Sequence, residues 1–271
     1  MNSPAYILGH SEWELSRLRA QARLLEPTTR QFLRDAGIVA GMRVLDIGSG
    51  AGDVAFLAAD LVGSSGEVVG TDRVPAAITA ATHSAHERGF RNVVFRLGDA
   101  ADLSFDRPFD AVVGRYVLLF QADPADVLRR LARQVRPGGL MVFHEPDWVF
   151  ARSMPSAPTY DRCCGWIRDT FRIAGTDANM ADKLCTAFVQ AGLGTPSMRL
   201  STYIGGGANC SKFLQAVADI VATLVPTLAQ QGLATPAEVD AKTLAGRLKA
   251  EVEANASVIV GRSEVVAWVR V

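Results

Sequence analysis

The segment VLDIGSGAGD, residues 44–53, constrains this chain most: Gly48, Gly50 and Gly52 sit between the short apolar run MRVLDIG and a stretch of helical composition, 53–62. A strand that turns into a helix within so few residues needs positions without a Cβ, and such a turn brings backbone amides close to a ligand. The alternation then repeats. EVVGTD reads as a second strand and 75–88 as a helix with Pro75 in its first turn. NVVFRLGD reads as a third strand, FDAVVGRYVLLF as a fourth, PADVLRRLARQV as a helix and GLMVFHEPD as a fifth strand. MRLSTYIGG and SVIVGRSEVVAWVRV, bent at Gly261, supply a sixth and a seventh. This order predicts an α/β fold, a doubly wound, mainly parallel seven-stranded sheet covered on both faces, with ligands outside the carboxyl ends of the strands.

With 271 residues, 49% of them hydrophobic, the chain suits one large domain carrying a cap rather than two independent domains. The expected division is an N-terminal helical lid over 1–34 and a main domain over 35–271, with cap insertions at about 146–178 and 208–254. In the lid, Ser11 and Glu14 form a capping-box pattern, and Leu15, Leu18, Ala22 and Leu25 follow on one narrow stripe. Pro27 is expected to end that helix, and 28–36 to form a second one stopped by Gly37. The stripe could lie on its own domain or join a second copy in a homo-oligomer. Basic and acidic side chains number 28 each, which removes the positive excess of a nucleic-acid binder. The best membrane candidate, 217–228, contains Asp219 and Pro226, and the first residues lack the basic-then-apolar order of a signal peptide. The expected location is the cytoplasm. Cys163, Cys164, Cys185 and Cys210 are not at zinc-like spacing, and no carboxylate or cysteine pair accompanies His83 and His86, so no metal is expected.

The strand ends carry the chemistry. Asp72 closes the second strand 22 residues past Gly50, the offset from which a carboxylate accepts hydrogen bonds from ribose hydroxyls, and Asp99 closes the third. Alternating glycines alone are also compatible with an ordinary strand-to-helix turn. A nicotinamide dehydrogenase would use the same carboxylate, but with G-x-G-x-x-G, whereas this turn is G-x-G-x-G with Asp46 two residues before it. In this ordered set the sequence resembles the class I S-adenosylmethionine-dependent methyltransferases, especially the branch of ubiquinone, menaquinone and secondary-metabolite methyltransferases. The resemblance is strong over 35–145 and weaker over 185–204, and it implies a Rossmann-like methyltransferase fold. It implies that Asp46, Gly48, Ser49 and Gly50 hold the amino-acid part of S-adenosylmethionine, that Asp72 binds the ribose with Arg73 beside the adenine, and that Asp99 and the Ala100 amide contact the adenine. It further implies that Arg115 and Tyr116 lie under the cofactor near its sulfonium; Tyr6 and Gln21 could close over it from the lid, as initial helices do in similar methyltransferases, or the N-terminal helix could serve packing alone.

Methyl transfer from a sulfonium is a displacement that depends on alignment in a dry pocket. HEPDW at the end of the fifth strand offers His144, Glu145 and Asp147 as proton acceptors, with His144 preferred because imidazole titrates near neutrality. Alternation along a strand sends His144 and Glu145 to opposite faces, and the pattern does not say which face holds the pocket. Trp148, Phe150, Tyr160, Trp166 and Phe171 could wall an apolar acceptor or form cap core, and Arg152, Arg162, Arg168 and Arg172 could hold an anion or face solvent. The leading expectation is methyl transfer to oxygen, nitrogen or activated carbon of a small, partly apolar metabolite. The alternatives are C-methylation of a terpenoid alkene or prenyl diphosphate through a carbocation, and a non-catalytic partner that only binds S-adenosylmethionine.

Overall fold

A computed structural model of the chain describes residues 12–176 and 178–271, with side chains for Arg17 and from Ala20 onward. The capping-box serine, Tyr6, Leu15 and Leu18 therefore lie outside the described residues or side chains. The hydrogen-bonded strand order is β3 (Val93–Leu97), β2 (Glu67–Asp72), β1 (Arg43–Ile47), β4 (Phe109–Arg115), β5 (Val135–Asp147), β8 (Val258–Arg270), β6 (Arg152–Met154), and β7 (Ser197–Gly206) also pairs with β8. β1 through β5 pair in parallel, as the alternation predicts, whereas β6 and β8 are antiparallel. The sheet has eight strands rather than seven. The additional one, β6, spans three residues between turn-forming segments, too short to leave a period in the sequence.

The chain forms two compact units. One comprises Leu25–Glu145, Ala181–Arg199 and Val265–Val271; the other comprises the described residues up to Leu24, with Pro146–Met180 and Leu200–Glu264. In the first unit, strand alternation places Val44, Val68, Ala111, Val113, Leu140, Val142 and Val266 on one face, against Phe32, Leu33 and Ala36 of α1 (Glu12–Ala36) and the apolar side of α2 (Asp53–Val62). Residues of the other parity, such as Leu45, Val112, Met141 and Phe143, are equally buried, and the Phe143 ring meets Phe188 of α6 (Met180–Gln190) edge-on at 6.1 Å. Burial on both faces explains why these strands read as continuous apolar runs.

The N-terminal segment corrects the expected pair of helices: α1 runs unbroken to Ala36 with Pro27 inside it. Leu25, Thr29, Phe32, Leu33 and Ala36 are all buried, at spacings of three and four, while Pro27 faces solvent. The buried stripe outweighs one lost backbone hydrogen bond, whose acceptor can turn to water. Over Leu25–Ala36 that stripe is occupied within its own unit.

The second unit holds α5 (Pro158–Ile173), α7 (Ser211–Gln230), α8 (Pro236–Val239) and α9 (Leu244–Ala254). Residues 207–230, which include α7, are long and apolar enough to cross a membrane by length and composition. Within this unit Phe213, Leu214, Val217, Ala218, Val221, Leu224 and Leu228 are buried, and α7 packs against α5 and α9. The Tyr160 hydroxyl donates to the Val260 carbonyl at 2.9 Å, and Thr159 donates twice to Glu251, tying α5 to β8 and α9.

Candidate active site

The glycine turn follows β1 with Gly48, Gly50 and Gly52 all at positive φ, between +53° and +92°, a region that L side chains rarely occupy. Backbone hydrogen bonds sew the neighbouring strand ends together: the Ser49 amide donates to the Thr71 carbonyl at 2.8 Å and the Gly98 amide to the Asp72 carbonyl at 2.9 Å. A Cβ on Gly52 would lie 2.8 Å from the rings of both Phe56 and Phe95. Gly52→Ala is therefore expected to lower stability by about 2–4 kcal/mol, the sum of left-handed strain and overpacking, read as a lower midpoint in denaturant unfolding.

Strand register collects the ionisable residues. Asp46 on β1 lies opposite Val113, Arg115 follows two residues later on β4, and His144 on β5 is directly opposite Arg115. Asp46, Arg115 and His144 therefore share one face of the sheet at its carboxyl ends. Asp46 is 1% exposed and its Oδ2 has no hydrogen-bond partner; the hydroxyl of Ser49, a residue 7% exposed, has none either. Burial pushes the Asp46 carboxyl up to about 8, against the smaller downward pull of Arg115. Nothing lies within 4 Å of a Cβ built on Gly50. Two buried polar atoms that want partners, beside an open glycine, fit a polar ligand carrying both donors and positive charge, as the amino-acid part of S-adenosylmethionine does.

Asp72 accepts from the Gly50 amide through Oδ2 and from the Val74 amide through Oδ1, both at 2.9 Å. This carboxylate braces the glycine turn, and its remaining lone pairs suit hydroxyl donors. Asp99 accepts from the Ala101 amide at 3.0 Å, has Arg73 at 3.9 Å, and is followed by the buried Ala100. Every cofactor residue expected from the strand ends is thus brought to one edge of this unit. Gln21 lies in the other unit, where it accepts from Arg17 at 3.0 Å and lines a small cavity with Asp219, Ile220 and Arg262.

β4 stops at Arg115, five residues earlier than the run FDAVVGRYVLLF suggests. Tyr116 turns to φ +60°, its amide bonded to the His144 carbonyl at 2.8 Å, and Leu118–Phe120 form a short 3-10 turn. Glu145 is the reason. It is fully buried and accepts from the amides of Val117, Leu118 and Leu119 at 3.0, 2.8 and 3.4 Å, so its carboxylate ends the strand from the face opposite His144. His144 is 3% exposed, with Phe32 edge-on at 5.0 Å, Tyr116 at 5.7 Å and the Thr29 hydroxyl 3.3 Å from Nδ1. Arg115 Nη1 donates to the same hydroxyl at 3.2 Å. Sequence reasoning missed Thr29, although a hydroxyl on the buried stripe of α1 is a signal.

Of the cap aromatics, Trp148, Tyr160 and Phe171 are buried as packing, whereas Trp166 is half-buried and Phe150 is exposed. Tyr160 and Trp148 are buried, with Arg168 donating to the Trp148 carbonyl at 3.2 Å and the Arg262 guanidinium 5.7 Å from its ring. Arg152 donates to the Phe150 carbonyl and Arg172 pairs with Asp169. Burial raises the thiols of Cys163 and Cys164 to about 12, so both stay protonated and unreactive. His83 pairs with Glu87 one helical turn away at 3.2 Å. Among the described residues no three His, Cys, Asp or Glu side chains gather as a metal site.

A sequence family described as a methyltransferase domain matches residues 38–187, more than half of the chain. The chain is 39% identical over 129 residues to the aklanonic acid methyltransferase DauC of Streptomyces sp. (strain C5), covering 47% of this chain and 59% of that protein. It is 41% identical over 111 residues to the 2-phytyl-1,4-naphtoquinone methyltransferase of Synechococcus elongatus, covering 39% of this chain and 48% of that protein. The chain spans about half the length of these curated relatives. Its fold is similar to that of the YcgJ protein from Bacillus subtilis, with a TM-score of 0.57 at 18% identity, covering 90% of this chain and 98% of that one. The matched segment contains the glycine turn, all the strand-end carboxylates and the His144–Glu145 pair, and the chain belongs to the methyltransferase-domain family, with S-adenosylmethionine as its cofactor.

Proposed function

We propose that this protein transfers a methyl group from S-adenosylmethionine to a small, partly apolar metabolite, at oxygen, nitrogen or an activated carbon. The observation that carries the proposal is the pair of buried, unpartnered polar atoms, Asp46 Oδ2 and Ser49 Oγ, beside the open Gly50. When bound, the cofactor supplies an electrophilic methyl group on a sulfonium. In this reading Asp46, Gly48, Ser49 and Gly50 hold its amino-acid end, Asp72 takes the ribose hydroxyls, and Arg73, Asp99 and the Ala100 amide frame the adenine. Arg115 and Tyr116 line the reacting side with His144, while Glu145 holds the turn that carries them. Tyr6 and Gln21 belong to the proposed lid. The relatives' printed substrates, aklanonic acid and a phytyl naphthoquinone, support an acceptor of mixed polar and apolar character. Three of the four cap arginines, Arg152, Arg168 and Arg172, already have protein partners, which does not favour a diphosphate clamp.

The test is incubation of the full chain with methyl-labelled S-adenosylmethionine and a panel of aromatic carboxylic acids, phenols, quinols, amines and prenyl diphosphates. Transfer to an acid, phenol, quinol or amine supports the proposal. Transfer only to a prenyl diphosphate would replace it by the carbocation route, and cofactor binding with no transfer would leave a binding protein.

Cofactor binding should also be linked to a proton. Asp46 titrates at about 8 in the folded chain against an ordinary 3.8, so its neutral form is favoured. Its contribution to the stability of the ligand-free chain is complete at acid pH and is lost as the pH rises through about 8. A cationic amino group beside it favours the carboxylate instead, so binding releases a proton at neutral pH and affinity climbs by up to ~10-fold per pH unit below that value. Calorimetry at pH 7 in two buffers of different ionisation enthalpy should show this release, and Asp46→Asn should abolish it. Buffer-independent heats would remove Asp46 from the cofactor pocket.

A further inference from the structure

We propose that Thr29 is a positioning residue that holds His144 as the Nε2-protonated tautomer, so that His144 meets the acceptor as a hydrogen-bond donor rather than as a base. The first half of this statement rests on the hydrogen bonds of Thr29; the second rests on the methyl-transfer reading above.

A guanidinium can only donate, so in the Arg115–Thr29 contact the hydroxyl oxygen accepts. The hydroxyl keeps one proton of its own to place. Three helical threonines of this chain return that proton to the carbonyl four residues earlier, Thr79 to Pro75 at 3.1 Å, Thr186 to Asp182 at 3.3 Å and Thr223 to Asp219 at 3.0 Å, whereas the buried Thr170 hydroxyl of α5 has no partner. Thr29 makes no such bond among the described residues, and its second contact is His144 Nδ1 at 3.3 Å. Its proton therefore points at Nδ1, which must carry a lone pair to receive it. A neutral imidazole with Nδ1 as acceptor holds its proton on Nε2. The opposite tautomer would aim Nδ1–H at an oxygen already facing Arg115 and leave a buried hydroxyl proton with nowhere to go.

The surroundings keep this choice in place. Thr29 and His144 are 2% and 3% exposed, so water does not compete for either group. Phe32 and Tyr116 stand at 84° and 71° to the imidazole plane and hold the ring against rotation. The cation that dictates the direction of the Thr29 hydroxyl is Arg115, which also acts on Asp46 electrostatically. Glu145, the adjacent carboxylate, is turned to the other face and taken up by backbone amides. With Nδ1 taken by Thr29, the ring N–H of His144 is at Nε2, on the strand face that also carries the Arg115 guanidinium, and a pair of N–H donors is the recognition chemistry of an oxyanion. The acceptor class this fits is one whose nucleophilic oxygen is already ionised near neutral pH: a carboxylate, an enolate or an acidic phenol.

The decisive measurement is the ¹⁵N spectrum of the His144 ring in the full chain, assigned by comparison with His144→Gln. Wild type should show a protonated Nε2 and an unprotonated Nδ1. Thr29→Val, which keeps the shape and removes the hydroxyl, should shift the tautomer balance toward Nδ1–H, and Thr29→Ser should restore it. In parallel, kcat for methyl transfer should fall at least tenfold in Thr29→Val and recover in Thr29→Ser, with cofactor affinity unchanged. A protonated Nδ1 in neutral wild-type His144, or a tautomer balance unmoved by Thr29→Val, would overturn the proposal. Should Thr29→Val fail to fold, the wild-type and Thr29→Ser spectra decide. Because the ring spectrum does not depend on turnover, absence of any methyl transfer would reject the functional reading without touching the tautomer assignment.

Discussion

His144→Ala is expected to slow methyl transfer by about 100-fold or more while leaving S-adenosylmethionine affinity within about twofold. The imidazole lies on the face shared with Arg115, one strand further from the glycine turn than Arg115 is, so its loss acts on the reacting side and not on the cofactor's amino-acid end. His144→Gln separates the two chemical roles. An amide N–H can replace a donating Nε2–H but cannot accept a proton at neutral pH, so a donor role predicts that Gln loses at least tenfold less activity than Ala. Equal loss in both variants would restore the imidazole as a base. Turnover that survives both would mean that alignment alone carries the reaction. The measurement is single-turnover transfer from labelled cofactor, paired with calorimetry of cofactor binding.

Asp72→Ala is expected to weaken S-adenosylmethionine binding by about 1–3 kcal/mol, which corresponds to roughly 5- to 150-fold in Kd. Two losses combine in this variant. Ribose hydroxyls lose their acceptor, and the amides of Gly50 and Val74 lose the carboxylate that organises the turn. Asp72→Asn distinguishes them, because one amide oxygen still accepts while the NH₂ group faces a backbone donor. The turn is then disturbed more than the ribose contact. Unchanged affinity in Asp72→Ala, measured by calorimetry, would remove the ribose assignment.

The legible part of this site was the part written in short, local patterns. Gly48, Gly50 and Gly52 between an apolar run and a helix leave few backbone solutions, and Asp72 and Asp99 are fixed to the sheet edge by the strands that precede them. The unreadable parts depended on partners distant in sequence. Pro27 looks like a helix end until Phe32, Leu33 and Ala36 are seen to extend the same buried stripe. The fourth strand looks twelve residues long until Glu145, 28 residues beyond Val117, accepts the amides that end it. His144 and Glu145 were separable only by face, and register, not composition, supplied that. Thr29 joins His144 across 115 residues, a contact for which no local spacing rule exists.

The Glu145 turn carries a further consequence. A Cβ on Gly48 would stand 2.9 Å from a methyl of Val117, and the Val117 amide is one of the three that Glu145 receives. Gly48, Val117 and Glu145 come from three separate stretches of chain, yet none can be exchanged without disturbing the next. They make up a single unit of substitution: a larger residue at the glycine demands a smaller one at Val117, and a shorter acid at Glu145 would let Val117 drift onto the glycine. A change at this corner is thereby coupled across three strand ends, whereas a position whose side chain touches no other strand end can change by itself.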